Sequence, residues 1–389
     1  MNVTHQISGN QLALLRSGTE YFPRLCADID AARHSIYLET YIFSADQTGS
    51  MVADALRRAA ARGVAVRVLL DGYGSAELPQ HWVDELRSSG VEVRWFRREI
   101  SPFTLRRNRH RRLRRMHRKM AVMDGEVAFV GGINIINDIP EYSDLSAPQL
   151  DYMVRVQGPV AGEIHAAMRH LWSVVSWANL RRRGKRIKKL VTGNPRPSTS
   201  SDIALLLRDN VRHRRDIERA YLYAIEGAQQ EIIIANAYFL PGRVFRQALI
   251  QAASRGVRVT LLLQGRVEYW IQHYATHALY DELLGAGVEI YEYQASYLHA
   301  KVAVVDGLWA TVGSSNIDPF SLLLAREANL AARHSGFAGE LRASLLTIIA
   351  RDTQRVELAK ENYLTPFLAR ISYSVIRFLV GIIGYSKWH

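Results

Sequence analysis

Apolar and polar residues alternate in blocks along this chain, and the sequence of blocks occurs twice. The apolar stretch SIYL at residues 35–38 runs into ETYIF, beginning at Glu39, and EIII at residues 231–234 runs into NAYFL, beginning at Asn236. ALRRAAARGVAVRVLLDG, from Ala55, is echoed by ALIQAASRGVRVTLLLQG, from Ala248. Both carry apolar residues at helical spacing up to an Arg-Gly stop, then a continuous apolar run of strand length. VDELRSSGVEVRWF and YDELLGAGVEIYEY repeat the helix, glycine stop and strand. Each half is therefore predicted to be an α/β unit, β-α-β-α-β and then a hairpin, with a mixed sheet flanked by helices.

The hairpins carry the chemistry. MHRKMAVMDGEVAFVGGIN surrounds His117, and LHAKVAVVDGLWATVGSSN surrounds His299. Residues two apart on a strand share a face, so His117 projects with Lys119 and His299 with Lys301. Asp124 and Asp306 have the opposite parity and precede glycine, which predicts a turn-fixing role within each motif. Gly131-Gly132 and Gly313-Ser314 end the return strands, where small residues are expected to allow close backbone approach to a ligand. Asn134 and Asn316 are then placed to offer amide donors to phosphate oxygens. One such motif reads as an ordinary hairpin with a surface His and Lys; two matched copies argue for one site built from two halves. The pair suits attack on a phosphodiester, one imidazole on phosphorus and the other on the leaving-group proton.

The paired HKD motifs, with GGxN in the first half and GSxN in the second, resemble the phospholipase D superfamily, from about Gln11 to about Ala350. Within it, RRMHRK, LDGYGS, QLDY and the short N-terminus resemble the bacterial cardiolipin synthases of the B type. The resemblance implies a pseudo-twofold fold with the active site between the halves. It also implies a phosphohistidine intermediate without metal or other cofactor, and leans toward His117 as nucleophile and His299 as acid/base. The implied reaction joins two phosphatidylglycerols, or uses a related phosphatidyl donor, to make cardiolipin and release a small alcohol. The alternatives are a hydrolytic phospholipase D, a nuclease using the same histidines, and an idle membrane-binding scaffold.

Such a site needs a carboxylate behind each imidazole. Asp151 in QLDYMVRV and Glu327 in REANLAA are the candidates, each downstream of the histidine of its own half and at the start of a predicted strand. Glu39 is a further candidate for the cleft; its repeat partner is Asn236.

Charge changes the picture of partners. The formal net charge is +13, but seven arginines lie between Arg106 and Arg115 and seven Lys or Arg between Arg181 and Lys189, leaving the remainder nearly neutral. Two basic clusters on a neutral body are expected to meet an anionic membrane surface. They would also attract nucleic acid, although no specific nucleic-acid partner is expected. From Tyr363 the tail YLTPFLARISYSVIRFLVGIIGYSKWH mixes apolar residues with Arg370, Arg377 and Lys387, and is expected to lie in the headgroup region. The expected partners are thus anionic phospholipids, phosphatidylglycerol and cardiolipin, on the cytoplasmic face of a bacterial membrane. Cys26 is the only cysteine, compatible with a reducing compartment, and the N-terminus lacks a signal-peptide pattern. The expected units are a first half to residue 190, a Pro/Ser/Thr/Gly-rich linker at 191–201, a second half at 202–350, and a tail from 351. Gly158-Pro159 predicts the start of a helix through Ile164, Met168, Leu171, Trp172 and Val175, whose spacing reads as core packing, with Trp172 and Trp177 as further candidates for a lipid path.

Overall fold

The computed structural model describes residues 3–97, 115–139, 145, 147–182, 202–209, 213–267, 275–318, 321 and 325–357. Residues 106–114 and 183–189 of the basic clusters, the linker at 191–201 and the tail from Tyr363 lie outside these. The first half contains β1 (Thr4–Ile7), β2 (Asn10–Arg16), α1 (Ser17–Ala31), β3 (Ser35–Thr40), α2 (Gln47–Ala61), β4 (Ala65–Asp71), α3 (Gln80–Ser88), β5 (Glu92–Phe96), β6 (Lys119–Met123), β7 (Val127–Gly131) and β8 (Tyr152–Gln157). The helix α4 (Pro159–Arg182) follows, starting at the expected proline. The second half contains β9 (Ile203–Arg208), α5 (Asp216–Gly227), β10 (Glu231–Asn236), α6 (Arg243–Ser254), β11 (Arg258–Gln264), α7 (Tyr280–Gly285), β12 (Glu289–Tyr293), β13 (Lys301–Val305), β14 (Trp309–Gly313), β15 (Glu327–Arg333), α8 (Ser335–Asp352) and β16 (Thr353–Arg355).

Each half forms an eight-stranded mixed sheet, ordered β1-β2-β8-β7-β6-β3-β4-β5 and β16-β12-β11-β10-β13-β14-β15-β9. Helical crossovers make β3, β4 and β5 parallel, and likewise β10, β11 and β12. These strands are covered on both faces, which explains their unbroken apolar runs: every residue of β10 is buried. The motif hairpins pair antiparallel with the inner edge of each trio, Glu39 opposite Met120 and Asn236 opposite Lys301. The motif strands therefore lie at the centre of their sheets.

Alternation divides the core. Met120 and Val122 of β6, with Val302 and Val304 of β13, enter a cluster shared by both sheets, α4 and α8. Ala121 and Met123 face α1–α3, and Ala303 and Val305 face α5–α7. The long helices α4 and α8 each contact strands of both sheets. Trp172 belongs to the shared core, 7% exposed, with Arg94 stacked 4.3 Å above its ring. That is the packing role expected of this helix; Trp177 is exposed.

The Asp-Gly turns form as expected. Asp124 and Gly125 have φ of 54° and 73°, and Asp306 and Gly307 have 52° and 61°, the φ signs of a type I′ hairpin turn. The Asp124 carboxylate accepts the N–H groups of Arg33, His34 and Ser35, each at 2.8 Å. Asp306 accepts those of Gln229, Gln230 and Glu231 at 2.8, 2.8 and 2.9 Å. Each turn thus locks to the chain leading into the neighbouring parallel strand.

Candidate active site

Neither histidine lies within a strand. The regular strands begin two residues later, at Lys119 and Lys301, and each histidine occupies a short lead-in segment. These lead-ins are where the halves join. Met116 forms a parallel bridge with Arg326, and Leu298 with Leu150. His117 N–H donates to Arg326 O at 2.9 Å, and His299 N–H to Leu150 O at 2.8 Å. The residue after Arg326 is Glu327, and the residue after Leu150 is Asp151.

The consequence corrects the expected pairing. Each carboxylate serves the histidine of the other half, not its own. His299 Nδ1 lies 2.6 Å from Asp151 Oδ2, and His117 Nδ1 lies 3.1 Å from Glu327 Oε2. His117 Nδ1 also lies 3.2 Å from the Ser314 carbonyl oxygen. Carboxylate and carbonyl oxygens accept, so a hydrogen is assigned to Nδ1 on both rings. Ser314 Oγ donates to Glu327 Oε2 at 2.6 Å, and Tyr152 N–H to Asp151 Oδ1 at 2.7 Å. The two imidazoles keep 17% and 14% side-chain exposure, while Glu327 and Asp151 are essentially buried.

Lys119 and Lys301 are buried and turn back to the carbonyl of their own histidine. Lys119 Nζ donates to His117 O at 2.8 Å; Lys301 Nζ donates to His299 O and lies 4.0 Å from Asp151 Oδ2. Burial pushes the Lys119 pKa down to about 7, against the pull of Glu327. Burial also lowers the pKa of His117, which Glu327 partly restores. His299 is held well below the usual imidazole value by burial and then by the charges of Lys301, Lys119 and His117. The motif side chains of both halves therefore share one electrostatic site. Burial raises Asp151 to about 6. At Glu327 burial is outweighed by His117, Lys119 and the Ser314 hydroxyl, so its pKa falls.

The other candidates divide. Asn134 uses its carbonyl oxygen to accept Ile42 N–H at 3.2 Å, leaving its NH₂ as the donor. Asn316 is buried next to Ile317, whose N–H goes to Asn236 Oδ1 at 3.1 Å. Glu39 is buried against Arg118, 2.9 Å from Nη2. The small residues ending β7 and β14 lie in close contact with the neighbouring strand. A Cβ at Gly132 would collide with the Asp151 carboxylate, and one at Gly313 with Asn329. Two participants escaped the sequence reading. Ser314 was read only as small, and Tyr41, whose ring lies edge-on to His117 at 4.8 Å with Lys119 over its face, was read only as part of a repeat. Among the described residues, no group of three or more His, Cys, Asp or Glu could hold a metal ion.

This architecture has known counterparts. The family model described as "Cardiolipin synthase, PLD-like domain" matches residues 25–172 and 221–349. Cardiolipin synthase B of Escherichia coli (strain K12) is 39% identical over 384 residues, 98% of this chain and 91% of that protein. A cardiolipin synthase of Geobacillus kaustophilus is 31% identical, over 96% of this chain and 73% of that protein. Among solved structures, phosphatidylserine synthase of Haemophilus influenzae superposes with a TM-score of 0.68 at 13% identity, over 97% of this chain and 96% of that one. At that identity the likeness speaks for the fold.

Proposed function

Because the chain belongs to the cardiolipin synthase family of phospholipase D-like proteins, we propose that it transfers a phosphatidyl group from one phosphatidylglycerol to the glycerol hydroxyl of another, forming cardiolipin and releasing glycerol. The observation that carries this reading is the pair of Nδ1-anchored imidazoles, each backed by a carboxylate from the opposite half and accompanied by a buried lysine. In this proposal His117 Nε2 attacks phosphorus, the P–N bond forms, and the P–O bond to glycerol breaks as His299 protonates the departing oxygen. Neutral His299 then takes the proton from the acceptor hydroxyl, whose oxygen displaces His117 from phosphorus.

The electrostatics favour that division of labour. Attack makes the His117 ring more positive, and ionised Glu327, fixed by Ser314, faces it. His299, with its strongly depressed pKa, is once protonated the better proton donor. Lys119, Lys301, Asn134 and Asn316 would counter charge on the non-bridging phosphate oxygens, at about 2.7–4 kcal/mol per donor removed in comparable sites.

The proposed partner is an anionic phospholipid at a membrane surface on the cytoplasmic face. No helix among the described residues is long and apolar enough to cross a membrane, and the basic clusters and the tail are the proposed contacts. The test is to incubate the purified full chain with phosphatidylglycerol vesicles and identify the products. Cardiolipin with equimolar glycerol is expected; phosphatidic acid with no cardiolipin would replace transfer by hydrolysis.

A further inference from the structure

Asp71 closes β4 and Gln264 closes β11, the middle strand of each parallel trio. Asp71 Oδ2 accepts the N–H of Met116 at 2.8 Å, and Gln264 Oε1 accepts that of Leu298 at 2.9 Å. These are the residues immediately before His117 and His299. Each lead-in is thus held from two sides, by a side chain of its own half and by the bridge to the other half. A buried N–H deprived of its acceptor must find another, and the backbone shifts to do so.

The two holders differ in reach. Asp71 is fully buried and its Oδ1 also accepts Tyr73 N–H at 2.9 Å and Gly74 N–H at 3.2 Å. Gly74 presses so closely on Tyr41 that a Cβ there would overlap the Tyr41 carbonyl, and Tyr41 packs on His117. Asp71 therefore fixes both the backbone and the aromatic neighbour of His117. Among the described residues Gln264 has one bond of this kind, and its buried Nε2 meets no hydrogen-bond partner there.

We infer that Asp71 and Gln264 are positioning residues for the two histidines, and that the carboxylate of the first, replaced by an uncharged amide in the second, supplies negative charge to one side of the site only. Burial raises the Asp71 pKa, while the N–H groups of Met116, Tyr73 and Gly74, and Arg115, favour its ionised form. The charges of Glu327, Lys301, Asp151 and Asp71 act on Lys119; of the three acids, Asp71 alone comes from the β4 end next to the His117 lead-in. Removing that charge makes the Lys119 proton easier to lose. This inference rests on the proposed catalytic role of the histidines.

The experiment measures kcat, KM and the pH profile on phosphatidylglycerol in mixed micelles, with full-length protein and a His117→Ala control. Gln264→Leu is expected to lower kcat at least tenfold with KM within about twofold, and Gln264→Glu to regain most of that loss. Asp71→Asn is expected to move the alkaline fall in kcat to lower pH, because Lys119 then loses its proton earlier. Parental kcat in Gln264→Leu, or no recovery in Gln264→Glu, beside a dead His117→Ala control, overturns the positioning role alone. An unmoved alkaline limb in folded Asp71→Asn overturns the charge asymmetry. A His117→Ala control that still makes cardiolipin overturns the reading of the site and this inference with it.

Discussion

The two halves share a scaffold and divide at the atoms behind it. In the first, Arg118 follows the histidine and captures Glu39; in the second, Ala300 follows it and Asn236 ties down Ile317 instead. Gly132 makes room for the Asp151 carboxylate, while Ser314, at the matching position, reaches out to hold Glu327. Glu327 is stabilised as an anion facing His117, whereas burial draws Asp151 up to about 6 facing His299. Duplication has preserved the His/Lys pair and the Asp-Gly turn, and the surroundings have made the copies electrically unequal. In the proposed mechanism, that inequality would suit one imidazole to bonding phosphorus and its twin to handling protons.

The comparison can be broken most directly at the histidines. His117→Ala and His299→Ala are each expected to lower turnover by at least about 10³-fold, with an unchanged circular dichroism spectrum. Product analysis by mass spectrometry checks this, and substantial activity in either variant would mean that one half suffices.

The carboxylates sharpen it. Glu327→Gln and Asp151→Asn are each expected to cost about 10²- to 10⁴-fold on phosphatidylglycerol, since each leaves an imidazole without its anionic anchor. They should separate on a phosphatidyl ester of p-nitrophenol, whose leaving group needs no proton. First-turnover (burst) release of nitrophenol is expected to recover in Asp151→Asn and to stay slow in Glu327→Gln. Equal recovery in both would erase the difference between the halves.

The smallest effect is expected where the halves are alike. Asp124→Ala and Asp306→Ala each strand three backbone N–H groups at a turn. Each should cost about 1–2 kcal/mol in urea unfolding. The specific activity of the folded fraction should stay near parental; a loss like that of the histidine variants would place these aspartates in the chemistry.

Much of this was legible in the chain because it is local. Apolar periodicity gave the parallel trios, and the Asp-Gly steps gave hairpins whose aspartates face away from the imidazoles. The crossed pairing was not legible. It is decided by two bridges joining residues 148 or more positions apart, and periodicity within one half carries no information about how two halves meet. The partner of Glu39 was hidden for a related reason. Nothing in RRMHRK marks Arg118 as an arginine turned inward against a buried acid. Asp71 was passed over as the last letter of a strand, since an acceptor's importance lies in which distant N–H it meets.

The exchange of carboxylates across the seam has a bearing on descent. A polypeptide with only one such module would carry a histidine whose acid lay on another molecule. Any single-module forerunner built this way could work only in pairs, with both centres completed at once by a twofold axis. Within one chain no such symmetry is imposed, and the two sides of the site are free to differ, as Gly132 and Ser314 do.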